Sequence, residues 1–400
     1  MLIGGQQRSQ PSREAWQGPG LRHEMGGLFG EPAHTGELVT RRNALGIAAF
    51  YSCIRLLSTS TSILPLSVRN RSKPSKVEST SDVAIRLRDQ PNAEACGAVL
   101  WGTAAQHLGT AGNAYGLKLP PSDGLDVPEI YLAVPDQSRP YYGDDGRLWY
   151  DLVSPSGMML KVRGEHVLHF KGIGLDGTLV GHNPIALQRH HLGVALSAQE
   201  HQARTLTNDG TPGGVLSVEE SLDAEQARTI REQWHSMHSG PRNSGKIAVL
   251  DRGAKYQQIS MSHADAQFIE QRELSASEIA GYHAIPASMI NARGASFEYK
   301  NVNDRRMDYL TFALMPFLSF IEGPLNADPD FFGLRSPWEP RFSTKEFLRP
   351  DAPQRYKMHR DAIEAEWMDA DEVRKEEGLP SRSDGATGEA SPGRATDDAA

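Results

Sequence analysis

Between Pro184 and Tyr282 the sequence sets out two long helices with too few apolar residues to be buried, and a short α/β segment lodged between them. The first pattern opens at Pro184 and runs to about Asn208; the second runs from Ser262 to about Tyr282. The loop Asp209–Gly214 ends the first helix. Beyond it come a strand at Val215–Val218 and a helix from about Leu222 to Met237 with Ser221 as its N-cap. Two strands, 246–250 and 255–260, then flank the turn Asp251-Arg252-Gly253. Two helices around such an insert make a stalk with a head. A stalk this polar cannot hide its surface within one chain, so it needs neighbours in other subunits.

Composition agrees. A hydrophobic fraction of 38% is low for a monomeric enzyme of 400 residues and suits a chain that shares surface with neighbours. The length implies two or more substructures. A formal charge of −8 argues against a general nucleic-acid binder, which neutralises phosphates with clustered Lys and Arg; a chain like this meets DNA without gripping it. Only Cys53 and Cys96 occur, without CxxC spacing, which excludes a disulfide scaffold and a Cys-ligated zinc site and points to a reducing compartment. Cys53 falls on an apolar helical pattern and reads as a buried thiol. Residues 1–40 have no apolar signal-peptide core, and the longest apolar stretch, Leu310 to Ile321, is too short to span a bilayer. The expectation is a soluble cytoplasmic chain with no membrane partner.

Outside the stalk, an amphipathic helix begins at Ala44, with Ile47, Phe50, Ile54 and Leu57 on one stripe, and stops near Pro65. A strand at Leu66–Asn70 and a helix over 98–109, closed by Gly109 and Gly112, follow. A β-rich stretch comes next: Ala114–Leu119, Glu129–Val134, Leu148–Leu152, Met158–Lys161 and His166–Phe170. After a break at Pro286 and the loop Asn291–Phe297, a third helix covers Asn301–Glu322, with a kink expected at Pro316. Helices at Ala352–Trp367 and Asp369–Glu377 close the ordered part. Residues 1–38 and 381–400 read as a disordered arm and tail. The fold class is α+β.

Motifs with chemical potential are few. Gly240 to Lys246 nearly spells a phosphate loop, but Ile247 stands where a hydroxyl must reach magnesium, and the loop runs from helix to strand. Gly172-Ile-Gly174-Leu-Asp-Gly177 has dinucleotide spacing, yet the next helix starts only at Pro184. His235 with His238, and His190 with His201, lack a third metal ligand at matching spacing. No nucleophile–base or paired-carboxylate constellation stands out, so no catalytic residue, cofactor or metal is assigned, and the chain is not read as an enzyme. Charge placement is more informative. Within His263–Tyr282, Asp265, Glu270, Glu273 and Glu278 face the single base Arg272. In one chain this is an ordinary solvated face. Repeated around a ring, it would line a passage with negative charge along which duplex DNA slides.

Taken in order, short segments resemble the portal proteins of tailed double-stranded DNA bacteriophages, of the Hong Kong ninety-seven type. They are Tyr51 to Leu57 with Leu64-Pro65-Leu66; Gly112-Asn113-Ala114-Tyr115; Val167 to Lys171; Leu175-Asp176-Gly177; and Asn183-Pro184-Ile185. Asn208 to Leu216, Ala284-Ile285-Pro286 before Asn301, and Trp367-Met368 leading to Glu377-Gly378-Leu379-Pro380 complete the series, which spans about residues 40–380.

The resemblance implies a portal-type subunit: an α/β wing, two long stem helices, a small α/β clip inserted between them, and a helical C-terminal region. By order, 39–181 is the first part of the wing, 182–211 stem helix 1, 212–260 the clip and 261–285 stem helix 2. Residues 286–345 hold a tunnel loop and a kinked wing helix, and 346–380 are crown-like. It further implies a homo-oligomeric ring, usually a dodecamer, at one capsid vertex, assembled in the host cytoplasm, through which double-stranded DNA passes. The implied partners are the major capsid protein, the terminase large subunit, whose motor supplies the ATPase activity, and a head–tail connector or adaptor. Arg293, Phe297 and Lys300 would then lie near DNA in the tunnel loop, Asp265, Glu270, Glu273 and Glu278 would line the channel, and the Trp234 face of the clip would meet partners. The rival readings are a minor head or adaptor protein, and a nucleotide-binding enzyme using the Gly240–Lys246 loop.

Overall fold

The computed structural model describes residues 33–73, 77–174, 178–208, 214–217, 255–258, 274–290, 302–344 and 352–380, with a few positions between 223 and 232. The chain divides into two units, Met1–Ser343 and Thr344–Ala400. The first unit begins with α1 (Arg41–Ala44), α2 (Ala48–Ile63), β1 (Leu66–Asn70), β2 (Val77–Glu78), α3 (Asp82–Arg88) and α4 (Gly97–Ala111). Six strands follow: β3 (Asn113–Leu119), β4 (Glu129–Leu132), β5 (Arg139–Tyr142), β6 (Leu148–Val153), β7 (Met159–Arg163) and β8 (Val167–Lys171). Then come α5 (Pro184–Leu187), α6 (Arg189–Asn208), β9 (Gly214–Ser217), β10 (Lys255–Gln258) and a helix, α7, over 274–282. The unit closes with α8 (Val302–Asp308), α9 (Met315–Ala327) and β11 (Trp338–Phe342). Among the described residues every strand pairing is antiparallel, in the sheet orders β11-β1-β2, β4-β3-β8, β5-β6-β7 and β10-β9.

The body is organised by the crossing of α2 and α4. Phe50, Ile54 and Leu57 make a stripe at most 2% exposed, and Leu64 turns extended before Pro65, which ends α2 where the sequence predicts. Cys53 shares that buried stripe, and burial pushes its thiol up to about 12. The helices approach closely because α4 presents Gly102 and Gly109: the Ser58 hydroxyl donates to the Gly102 carbonyl at 2.8 Å, and Gly109 faces Ile54 and Phe317. Trp101, also on α4, carries the contact to the sheets, edge-on to Phe170 of β8 and Phe342 of β11.

Several elements depart from the sequence reading. β5 and β11 were hidden by Pro140 and Pro340, and proline is tolerated in both because each is an edge strand. The third long helix is not simply kinked at Pro316. It passes through a π-helical segment, Tyr309–Leu314, in which the Met315 N–H reaches the Leu310 carbonyl, and then continues to Ala327. A regular turn would press the Pro316 ring against the carbonyl four residues back, and one wider turn removes the clash. The first polar helix, expected unbroken from Pro184, is interrupted at Gln188.

The first long helix is tied to the sheet by a fully paired asparagine. Asn113, 7% exposed, donates through Nδ2 to the carbonyls of Ala111 at 3.1 Å and Gly181 at 3.0 Å. Its Oδ1 accepts the Gly181 N–H at 2.7 Å and His169 Nε2–H at 3.0 Å. His169 therefore accepts the Tyr150 hydroxyl on Nδ1, at 3.2 Å, and lies against Tyr115 with ring centroids 4.6 Å apart. Gly112 caps α4 at φ +70°, and a Cβ there would collide with the His182 carbonyl oxygen; Gly172 donates to the Gly112 carbonyl at 2.9 Å. Asn183 then caps α5, its Oδ1 accepting from Ile185 and Ala186. The segments Gly112-Asn113-Ala114-Tyr115, Val167–Lys171 and Asn183-Pro184-Ile185 are thus parts of one joint.

Buried charges close the other long-range contacts. Glu322 of α9 accepts the Arg341 guanidinium at 2.7 Å and the Phe342 N–H at 2.8 Å, which pins α9 to β11. Lys118, nearly fully buried, bridges Asp328 at 2.7 Å and Asp330 at 2.6 Å. Arg86, wholly buried, makes a two-pronged contact with Asp123.

In the second unit, α10 (Ala352–Glu364) and α11 (Ala370–Glu376) form a hairpin joined by Glu377, which receives Arg355 at 2.5 Å and His359 at 3.2 Å. α10 stops short of the expected Trp367 because Glu366 takes φ +60°. α11 starts on an Asp369–Glu372 capping box and ends at Gly378, φ +71°, with the Leu379 N–H returning to the Arg374 carbonyl.

Two predictions follow from this construction. Gly112→Ala requires a positive φ from an L-residue, which alone costs about 1–2 kcal/mol, and adds the collision with His182. The urea midpoint should fall by more than the first effect explains; an unchanged midpoint contradicts the close approach. The second prediction concerns pH. Burial lowers His169 to about 3 and His107 to about 4, and lowers His283 as well. The unfolded chain protonates these rings near 6.5 while the folded one does not, so their stabilisation is complete above that pH and drains away as pH falls towards about 3. Each ring contributes up to about 1.4 kcal/mol per pH unit in that window. Asp136 and Glu322, raised mainly by burial, act with the opposite sign nearer the carboxylate range. The melting temperature should therefore drop between about pH 6.5 and 5, with a shallower slope in His169→Gln. A flat profile for the unsubstituted protein would refute the neutral-histidine assignment.

Candidate functional site: the base of the paired helices

The two polar helices meet side by side at their base. Among the described residues of α6 only Leu192 and Gly193 are buried, and in α7 only Ile279 and Ala280. Leu192 and Ile279 enter one cluster with Ile47, Phe50 and Ile54, the stripe of α2 and its flank, and with Ile185. Ala195 and Leu196 lie half-buried against this cluster, and the exposed described positions include the apolar Val194 and Leu274.

Two polar contacts frame this apolar seam. His191 Nδ1 of α6 lies 3.0 Å from Glu278 Oε2 of α7, with both side chains about two-fifths exposed, and the His191 ring meets Tyr282 edge-on at 5.7 Å. On the other flank the segment Ala33–Val39 closes over α6. Ala33 sits against Gly193, and the His34 ring stacks on His190 at 3.8 Å, nearly parallel. Ala33 and Val39 are each 4% exposed, so residues 33–38, expected to belong to a disordered arm, are docked instead.

α7 ends in a Schellman turn. The Ile285 N–H reaches the Ala280 carbonyl at 3.1 Å and the Ala284 N–H the Gly281 carbonyl at 3.0 Å, with Ala284 at φ +53° and Pro286 just beyond. This is the physical content of the Ala284-Ile285-Pro286 motif. His283 lies inside the turn, with one ring nitrogen 3.3 Å from the Ile279 carbonyl, the other 3.2 Å from the Gly109 carbonyl, and Phe50 edge-on to its ring. It joins the base of the long helices to α4, a role its spacing in the sequence did not signal.

Of the residues singled out from sequence, Glu278 is at the base and is paired with His191. Asp265, Glu270, Glu273, Trp234, Arg293, Phe297 and Lys300 lie outside the described residues, as does the Gly240–Lys246 loop. His190 stacks with His34. Among the described residues no three His, Cys, Asp or Glu side chains are grouped to hold a metal, and no helix is long and apolar enough to cross a membrane. What the base offers is a thin apolar seam with exposed apolar side chains around it.

A model of the phage portal protein family matches residues 48–378. The chain is 30% identical over 312 residues to the probable portal protein of Streptomyces phage phiC31, covering 74% of this chain and 67% of that relative. Against the portal protein of Enterobacteria phage HK97 it is 24% identical over 314 residues, covering 77% and 71%. Among solved structures, a chain in the neck of a native gene transfer agent particle with C12 symmetry aligns at TM-score 0.59 and 22% identity, over 85% of this chain and 92% of that one. An HK97-family phage portal protein from Corynebacterium diphtheriae aligns at TM-score 0.53 and 18% identity, over 80% and 98%. The family match begins in α2 and ends at Gly378, the cap of α11, so it takes in the joint, α6, α7 and the hairpin. The chain belongs to the phage portal protein family.

Proposed function

We propose that copies of this chain form a ring, a dodecamer, whose paired long helices surround an axial passage for double-stranded DNA at one vertex of a phage capsid. The observation that carries this reading is the thin seam between α6 and α7. Beside the His191–Glu278 pair, Val194 is 54%, Leu274 60% and Tyr282 49% exposed, an apolar margin that a single chain leaves in water. Other copies are the natural partners for it. Support comes from the family membership and from the twelvefold symmetry of the neck structure to which the chain is similar.

In this reading, residues 182–211 and 261–285 are the stem and 212–260 the clip; 39–181 with 286–345 form the wing and tunnel loop, and 346–380 the crown-like end. The acids Asp265, Glu270, Glu273 and Glu278 line the passage and keep DNA from adhering, with Glu278 held in place beside His191. Arg293, Phe297 and Lys300 approach DNA from the tunnel loop. The clip, through its Trp234 face, meets the head–tail connector, and the ring docks the terminase large subunit and the major capsid protein. The subunit assembles in the host cytoplasm and ends in the virion. Its work is geometric, with phosphate-bond energy supplied by the terminase, and no residue of this chain is given a catalytic role.

Two experiments test this. Val194→Glu with Tyr282→Glu alters side chains exposed in the single chain, so secondary structure should be kept. In a ring, the same substitutions bury unpaired carboxylates at a cost of several kcal/mol per contact. Native mass measurement and negative-stain imaging should show the ring lost. An intact ring refutes this interface, and a monomer or plug from the unsubstituted chain favours an adaptor. For the tunnel loop, Arg293→Ala with Lys300→Ala should change the length of DNA packaged per particle; unchanged length removes both residues from the mechanism.

A further inference from the structure

One residue, Gln188, interrupts what would otherwise be a single helix from Pro184 to Asn208. Its backbone takes φ −96° and ψ 5°, the sparsely populated bridge between helix and strand. The main chain is nevertheless satisfied there: the Gln188 N–H reaches the Pro184 carbonyl at 3.1 Å, and the Gln188 carbonyl accepts the Leu192 N–H at 2.9 Å. The side chain is not. Gln188 is 1% exposed, and neither its Oε1 nor its Nε2 has a hydrogen-bond partner. A buried primary amide unpaired at both ends opposes the conformation that buries it. Its neighbours on the helix, Ile185 and Leu192, belong to the apolar cluster at the base, so an apolar side chain at 188 would suit the surroundings better than glutamine.

The position explains why this matters. On one side α5 is tied to the sheet by the Asn183 cap and the Asn113 joint. On the other, α6 is tied to α7 through His191–Glu278 and to the docked segment through His34–His190. Gln188 is the single residue between α5 and α6, the two elements that these restraints hold. We infer that Gln188 is the hinge that sets the angle of the long helix on the α/β body, and that its unpaired amide keeps the conformation observed at this break from being locked. A change of ψ at this residue re-aims α6 and frees the amide in the same movement. The consequence rests on the ring reading: a hinge repeated in every subunit tilts the helices together and alters the width of the passage.

Gln188→Met, a near-isosteric replacement without polar atoms, tests this in the full-length protein. Purified rings should melt higher by roughly 2 °C or more, because the opposing amide is gone. Particles assembled with the variant should package DNA several-fold less efficiently, because the hinge is now fixed. A melting temperature that is unchanged or lower, or a variant that does not fold, overturns the proposal, since the amide is then held by an ordered water or another partner. A higher melting temperature with unaltered packaging also overturns it, because the angle is then not used. If the unsubstituted chain forms no ring, the earlier reading fails by itself, and the melting comparison still reports on the amide.

Discussion

Three stretches of backbone approach one another at Gly112, Gly172 and Gly181 so closely that side chains on Gly112 and Gly181 would strike main-chain oxygen. Where α4 becomes β3, where β8 ends, and where the chain turns towards the long helix are therefore one place. Asn113 completes it by spending every hydrogen bond that an amide has on this junction. A half-satisfied buried amide would weaken the joint, whereas a fully satisfied one specifies it. The placement of α5, and through it of the first long helix, depends on that contact.

Around this rigid joint the chain distributes burial unevenly. The α/β body has a conventional core, with α2 and α4 in contact and sheets held by Trp101, Phe170 and Phe342. Its buried charges, Arg86, Lys118 and Glu322, are each matched by a partner on another element, most distantly Lys118 with Asp328, so they specify which segments meet. The long helices have no such core. Among their described residues they share a thin seam at Leu192 and Ile279, with Ala195 and Leu196 half-buried against it. A rigid body carrying poorly buried helices is the form expected of a subunit completed by its neighbours, and portal family membership gives that form its context.

Much of this was legible in the sequence, and the reasons are local. Helix periodicity located α2 and α4; Pro65 and Gly112 marked where they stop; alternation with turn residues located β3, β4, β6, β7 and β8. The motif segments were visible as spellings without their physical meaning. Ala284-Ile285-Pro286 is a left-handed cap followed by a helix-excluding residue, and Glu377-Gly378-Leu379-Pro380 is the same device with glycine. The base of the long helices was only partly legible. Glu278 was flagged as one of several acids, but its partner His191 lies 87 residues earlier, and His283 contacts a carbonyl 174 residues away.

By itself, then, the sequence determined the class of fold, the ends of most elements and the polarity of the two long helices, because these depend on residues within a few positions of one another. Tertiary structure alone decided the pairing of β1 with β11, the closing of the docked segment over Gly193, the wide turn ahead of Pro316 and the interruption at Gln188. Each of these is a compromise between segments far apart in the chain. Their geometry is settled only when both surfaces are present, and no local pattern encodes such a compromise.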